Sequence, residues 1–129
     1  MKYLAIIALL TASAFSHVAS AQTDYSGVYL GTSATTTNYF SVHHNTNDNS
    51  IIVALLDMNS ENWTATGGSL SGHQADTSSI FESGTFSLNI DFNFNQPVVT
   101  VTQCELRARV RCFRDYEEGA KFTLFKILP

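Results

Sequence analysis

The chain has 129 residues, a formal net charge of −4 at pH 7, and only 14% charged residues. This length supports one small domain rather than two. The acidic balance excludes the general electrostatic attraction that draws basic proteins to nucleic acids and anionic lipids. We therefore expect one folding unit that binds no nucleic acid.

The first 21 residues have the three parts of a secretory signal peptide. Lys2 supplies the positive start, an apolar run spans residues 4–10, and Ala-Ser-Ala at 19–21 forms a cleavage site. A membrane anchor is the alternative, but it needs about 20 apolar residues, and polar residues interrupt this run. We expect cleavage after Ala21, which leaves residues 22–129 as a single domain, secreted or periplasmic and not embedded in a membrane.

Segments typical of strands alternate with turn residues through the first half of this domain. A short strand is predicted over 25–31, and the segments 38–44 and 50–57 flank an Asn-rich turn at 45–49, which indicates a hairpin. The run 51–56 is apolar without alternation, which predicts a strand covered on both faces. Gly67 and Gly68 then indicate a two-residue hairpin turn, because such turns need positive φ.

Residues 84–94 alternate apolar and polar side chains more regularly than any other segment. Successive side chains of a strand point to opposite faces, so the apolar set should share one buried face. A turn at 95–96 should return the chain into a paired strand from Pro97, and 120–128 should form the last strand. The apolar set comprises Phe86, Leu88, Ile90, Phe92 and Phe94.

Eight or nine short strands joined by turn residues predict an all-β fold, an antiparallel up-and-down meander. A small closed or nearly closed barrel is favoured because closure removes sheet edges, and few Lys or Pro residues stand where they would protect an edge. A two-sheet sandwich is the alternative.

Three features resemble the calycin-type barrels, the lipocalin and avidin group. These are the glycine-bracketed segment 27–31, the single Trp63 before Gly-Gly, and the closing segment 121–127. Lipocalins begin with Gly-x-Trp where this chain has Gly-Val-Tyr at 27–29, and the avidin pocket uses several tryptophans, so we carry over no binding residue. Most of the domain is also similar to small uncharacterised exported proteobacterial proteins with a Tyr-x-Ser-x-His-like strand, here residues 39–43, which implies export.

Cys104 and Cys112 are the only cysteines, and in an exported protein they predict a disulfide. Eight residues would separate them by roughly 26 Å on a strand or about 12 Å on a helix. A bridge requires Cα atoms closer than about 7 Å, so residues 105–111 should form a loop. The alternative is an amphipathic helix with free thiols.

Two groups of side chains could form binding sites. An apolar cavity could be lined by aromatic residues that a small domain also needs for its core. An anion site could form from the only basic cluster, unless neighbouring Asp115, Glu117 and Glu118 neutralise it. The cavity candidates are Tyr29, Tyr39, Trp63, Phe86 and Phe92, and the anion candidates are Arg107, Arg109, Arg111 and Arg114.

No motif for catalysis, metal or cofactor binding emerges. His43 and His44 should point to opposite faces of a strand, and His73 has no ligand spacing to either. No nucleophile stands in a recognisable elbow.

We therefore expect a non-catalytic binding module for an apolar or amphipathic small ligand. The alternative is an interaction protein of the envelope, or an inhibitor, with a filled barrel. Whether the barrel holds a cavity separates the two, and the oligomeric state stays open.

Overall fold

The computed structural model describes residues 22–80, 85–93, 95–105, 112 and 114–129. Each strand pairs antiparallel with the next, and the last pairs with the first, which closes the sheet into a barrel. The predicted all-β up-and-down barrel is confirmed, and the sandwich alternative is wrong. The eight strands are β1 (Gly27–Thr32), β2 (Thr37–His44), β3 (Ser50–Asp57), β4 (Asn62–Ser71), β5 (Gln74–Ser79), β6 (Phe86–Asp91), β7 (Val98–Cys104) and β8 (Lys121–Leu128).

The alternating segment forms β6, and its apolar face is buried as predicted. Phe86, Leu88 and Ile90 point into the barrel, and Phe92 continues this face just beyond the strand. Burying a large apolar side chain is favourable by roughly 1.5–3 kcal/mol, so a shift of one residue in register would be costly. Phe94, the fifth predicted member, lies outside the described residues, as does the predicted signal peptide at 1–21.

Aromatic rings fill the barrel towards one end. Tyr116, from the segment between β7 and β8, lies with its ring centroid 5.7 Å from that of Phe122 and 6.0 Å from that of Phe86. Phe40 contacts Phe122 from the other side at 5.3 Å. All four side chains are fully buried. The interior at this end is therefore packed side chain against side chain, as expected of a protein core.

A short N-terminal strap, residues 22–26, covers the opposite end of the barrel. The ring of Tyr25 stacks on Phe92 with centroids 4.2 Å apart, and on His44 at 5.6 Å. The side-chain amide of Gln22 donates a hydrogen bond to the Asn49 side chain. Residues from β2, from the turn after it and from the end of β6 thus hold the strap.

The predicted turn at Gly67 and Gly68 is wrong, because both residues lie inside β4. The chain turns instead at Gly72 and His73, where Gly72 has a φ of 61°. A Cβ atom on Gly68 would lie 2.0 Å from the backbone oxygen of Asp76 in β5. Gly68 therefore permits a close approach of the neighbouring strand rather than a change of direction.

The prediction that the apolar run 51–56 is covered on both faces is also wrong. Ile51, Val53 and Leu55 point into the core, whereas Ile52 is 45% exposed and Leu56 is 38% exposed. Barrel closure gives β3 one inner and one outer face, and its outer face is apolar as well.

Candidate functional site

The five predicted cavity residues do not come together. Tyr29, Phe86 and Phe92 lie in the buried core, whereas Tyr39 and Trp63 lie on the outer surface of the barrel. The hydroxyl of Tyr29 donates a hydrogen bond of 2.7 Å to the backbone oxygen of Tyr25, which ties the core to the strap. The three interior aromatics therefore serve as core, and the two outer ones belong to a different surface.

That outer surface is built from two rows of cross-strand neighbours that run over β8, β1, β2, β3 and β4. Side chains directly opposite on one face lie about 4.5–5.5 Å apart at Cβ, so each row is continuous. The first row is Phe125, Leu30, Tyr39, Leu56 and Trp63, and the second is Leu128, Val28, Ser41, Ala54 and Ala65.

Two isoleucines extend these rows. Ile52 points outward from β3 between His43 and Gly67, and the Ile80 side chain lies over Gly67. We call the two rows together with Ile52 and Ile80 the outer apolar face. Trp63 and Phe125, at its two sides, are 48% and 47% exposed.

A groove of about 350 Å3 lies within the outer apolar face. Tyr39 and Trp63, two of the predicted cavity residues, line it, and Ser41 supplies the one small hydroxyl side chain. The remaining lining residues are Val28, Ala54, Leu55 and Leu56.

The outer apolar face carries almost no charge. In β1 to β4 the only Asp, Glu, Lys or Arg is Asp57, which is buried. Its carboxylate accepts hydrogen bonds from the Asn59 backbone at 3.0 Å and from the Ser60 hydroxyl at 2.7 Å. On β8, Lys126 places its ammonium 5.6 Å from the Tyr29 ring centre, at the end of the barrel. The middle of the face is therefore neutral.

The opposite side of the barrel is polar. On β4 to β6 the cross-strand rows are Ser69, Asp76 and Asn89, then Ser71, Gln74 and Asp91. The Asn89 amide donates to the Asp76 carboxylate at 2.9 Å, and a polar groove of about 460 Å3 lies over these rows. The barrel thus has two unlike sides.

The predicted disulfide is confirmed. The sulfur atoms of Cys104 and Cys112 are 2.01 Å apart, with their Cα atoms at 5.5 Å, so the free-thiol alternative is wrong. The bridge links the end of β7 to the segment that carries Tyr116. The conformation of residues 106–111 lies outside the described part of the chain.

The basic cluster is described only at Arg114. Its side chain is exposed, in a groove that Asp115, Glu117 and Glu118 also line. Arg107, Arg109 and Arg111 lie outside the described residues, so the anion site stays a prediction.

The histidines lie in separate surroundings. His43 is exposed on the outer surface, 3.2 Å from the Ser41 hydroxyl, whereas the buried His44 has its Nδ1 atom 3.9 Å from the Asp24 carboxylate. The Nδ1 atom of His73 lies 3.4 Å from the Tyr25 hydroxyl. Within the described ranges, no group of three or more His, Cys, Asp or Glu side chains is placed to hold a metal ion.

Comparisons with protein-family models, with curated proteins and with solved structures each find no match. The closed eight-strand antiparallel barrel is compatible with a calycin-like small barrel. In the part of the chain that the structure describes, no helix has the length and apolar character to cross a membrane.

Sequence reasoning missed most of the outer apolar face, including Leu30, Ile52, Leu56 and Phe125. Two signals could have revealed it. The runs 51–56 and 122–125 contain apolar residues at both parities, and in a closed barrel one parity must face outward. The second signal is that Asp57 is the only charged residue in β1 to β4, because a strand face meant for solvent usually carries charged residues.

Proposed function

We propose that this protein is an exported, non-catalytic interaction module that binds a macromolecular partner through its outer apolar face. The carrying observation is that apolar side chains form two continuous rows on the outside of five adjacent strands, β8 and β1 to β4. Aromatic side chains pack against one another at one end of the barrel, which supports the alternative of a filled barrel that binds through its outer surface.

The composition of the face supports a protein contact. Interface cores are depleted in charged residues and enriched in aromatic ones, and here Tyr39, Trp63 and Phe125 stand in one neutral row. Contiguous apolar patches above about 300–600 Å2 are unusual on monomers and mark interaction sites. The face also supports a non-catalytic role, because Tyr39 is its one titratable side chain and His43 lies beside it, opposite Ile52.

The proposal also includes export from the cell and a relationship to the calycin-type barrels. A disulfide between Cys104 and Cys112 suits an oxidising compartment, which agrees with a signal peptide cleaved after Ala21. The closed eight-strand up-and-down meander supports a calycin-like relationship, because that architecture is shared by lipocalins.

A second candidate function rests on the groove beside Trp63. Its volume of about 350 Å3 falls within the roughly 300–1,000 Å3 of small-molecule sites, and its lining suits an apolar or amphipathic ligand. Native mass spectrometry of protein purified from its own host tests this candidate. A bound small molecule that Leu56→Lys removes would favour it over a macromolecular partner.

Site-specific photo-crosslinking in the producing cells tests the main proposal. A benzophenone amino acid replaces Leu56 on the outer apolar face or, as the matched control, Thr102, an exposed position on β7. We expect protein-sized adducts from position 56 and far weaker adducts from position 102. Absence of adducts at position 56, repeated with the probe at Ile52, would overturn the proposal.

A further inference from the structure

We infer that the occupant of the outer apolar face is a second copy of this chain, bound face to face in a two-fold dimer. The inference rests on the proposed function and names its partner. Three properties of the barrel lead to it: the sheet is closed, the outer apolar face is neutral, and the area of this face is sufficient for a dimer interface.

Closure of the barrel pairs every described strand with two neighbours. β1 pairs with both β2 and β8, and the shortest pairing joins residues 98–100 of β7 to residues 121–123 of β8. The strands beneath the outer apolar face are thus paired on both sides, which disfavours addition of a strand there. Contact through the face is the mode that remains for these strands, and sheets that stack in this way lie about 10 Å apart with interdigitated side chains.

The neutral character of the outer apolar face favours a second copy of this chain over a different protein as the partner. In a two-fold contact the same patch meets itself, so a charged patch opposes like charges whereas a neutral apolar patch complements itself. Each chain carries a net charge of −4, so two copies would repel one another through their acidic sides and can approach most easily through the neutral face. β1 to β4 offer no charge at the surface for a heterologous partner to recognise, although charge complementarity commonly sets partner choice.

The area of the face is sufficient for a dimer. Six of its large side chains are between 38% and 57% exposed: Ile52, Leu56, Trp63, Ile80, Phe125 and Leu128. A fully buried aromatic side chain covers about 150–250 Å2, so the two aromatic residues present on the order of 100 Å2 each, and the four aliphatic side chains present somewhat less each. With the smaller residues between them, the face approaches the roughly 800 Å2 per partner of a standard interface.

The groove beside Tyr39 gives the contact its specific fit. With a volume of about 350 Å3, it has room for a large apolar side chain of the facing copy. Binding energy in interfaces concentrates where such a side chain enters a pocket at the centre. Leu56 and Ile52, on the outer side of the central strand β3, are therefore the residues whose replacement should weaken the dimer most.

Sedimentation of the purified, disulfide-intact protein over a range of concentrations tests the inference. We expect a dimer with a dissociation constant in the micromolar range or below. Leu56→Lys and Ile52→Lys should each raise that constant by about tenfold or more. Thr102→Lys adds the same charge on β7 and should leave it unchanged. Thermal melts show whether each variant is folded. Because Leu56 and Ile52 are replaced in separate variants, the experiment still decides the question if one of the two variants does not fold.

Two results would overturn the inference. One is a wild-type protein that stays monomeric up to about 100 µM, a concentration at which a micromolar dimer would be populated. The other is a dimer that neither β3 variant weakens. If the protein is a monomer in solution but position 56 still crosslinks to a different protein in cells, the second copy is not the occupant of the face and the proposed function stands. Absence of adducts at positions 52 and 56 would instead remove the proposed function.

Discussion

The side-chain amide of Asn38 donates a hydrogen bond to the hydroxyl of Tyr116, although 78 positions separate the two residues in the chain. The Asn38 side-chain oxygen accepts a second hydrogen bond, of 2.9 Å, from the backbone N–H of Met58. Both Asn38 and Tyr116 are fully buried. One amide thus joins β2, the turn after β3 and the segment between β7 and β8 at one end of the barrel.

Replacing Tyr116 with Phe should measure the contribution of this link. The change removes one oxygen and leaves the Asn38 amide as a buried donor without its acceptor, which costs about 1–3 kcal/mol. Urea unfolding gives the free energy of unfolding directly. Tyr39→Phe makes the same chemical change on the outer face and should alter stability by less than about 0.5 kcal/mol. Equal losses in the two variants would contradict the importance of the link.

Stability should fall as the pH rises above about 10. Burial, with the charges of Asp57 and Asp115, raises the pKa of the Tyr116 phenol above its ordinary value, and burial also raises the pKa of Tyr29. The unfolded chain loses these protons near pH 10, whereas the folded chain keeps them to a higher pH. Both phenols are neutral in both states below pH 10, and above it the Tyr116 phenol destabilises the fold by about 1.4 kcal/mol per pH unit until it ionises in the folded state as well.

Urea unfolding at several alkaline pH values, compared between wild type and Tyr116→Phe, isolates one of these groups. Above pH 10 the free energy of unfolding of the variant should fall less steeply with pH than that of the wild type, by the slope that the ionisation of one group contributes. The same slope in both proteins would show that Tyr116 does not contribute.

The inner face of β6 should be far less tolerant of substitution than its outer face. Ile90→Ala removes a fully buried side chain and should cost about 2–5 kcal/mol. Asn89→Thr, one position away, removes only a surface hydrogen bond to Asp76 and should change stability by about 0.5 kcal/mol or less. Thermal melts of the two variants provide the measurement. Indistinguishable melting temperatures would contradict the conclusion that Ile90 lies on the buried face of β6 and Asn89 on the outer face.

Gly68→Ala should destabilise the barrel, whereas Gly67→Ala should be tolerated. At Gly68 the new methyl group would meet the backbone of β5 at 2.0 Å, and a paired strand cannot move aside cheaply. Overpacking of this kind costs typically about 1–3 kcal/mol and sometimes more. At Gly67 the contact is with the flexible end of Ile80 at 3.0 Å. Chemical denaturation of both variants tests the difference.

Reduction of the Cys104–Cys112 bridge should lower the melting temperature without unfolding the domain. Closing so short a loop stabilises the fold by roughly 2.5 kcal/mol through restriction of the unfolded chain, while the core remains in place. Alkylation of protein purified from its own host without reductant, followed by mass spectrometry, should find no modified cysteine. Two alkyl groups per molecule would show that the protein in its host lacks the bridge.

The sequence predicted those parts of the fold that depend on local alternation. In β6 the apolar residues occupy one parity only, so the buried face follows directly from the period of a strand. In β3 both parities are apolar, and no local rule states which parity faces the core. Gly67 and Gly68 were ambiguous in a similar way, because glycine is favoured both where φ is positive and where two strands approach each other closely.

The candidate site was less accessible from the sequence because it depends on closure of the barrel. Tyr39 and Trp63 were predicted to line an apolar cavity together with three residues that lie in the core, and the row that contains them reaches Phe125 only once β8 pairs with β1. The partner of Asn38 was likewise hidden, since a hydrogen bond across 78 positions leaves no periodic signal.

The pairing of β8 with β1 also has a kinetic consequence. Val28 pairs with Leu128, 100 positions later in the chain, and contacts at such separation form slowly because a long loop must close first. Until then, the backbone edges of β1 and β8 stay open beside Leu30 and Phe125, where chains can pair with one another and aggregate. The rate at which β8 reaches β1, rather than the stability of the finished barrel, then determines how much protein survives refolding at high concentration.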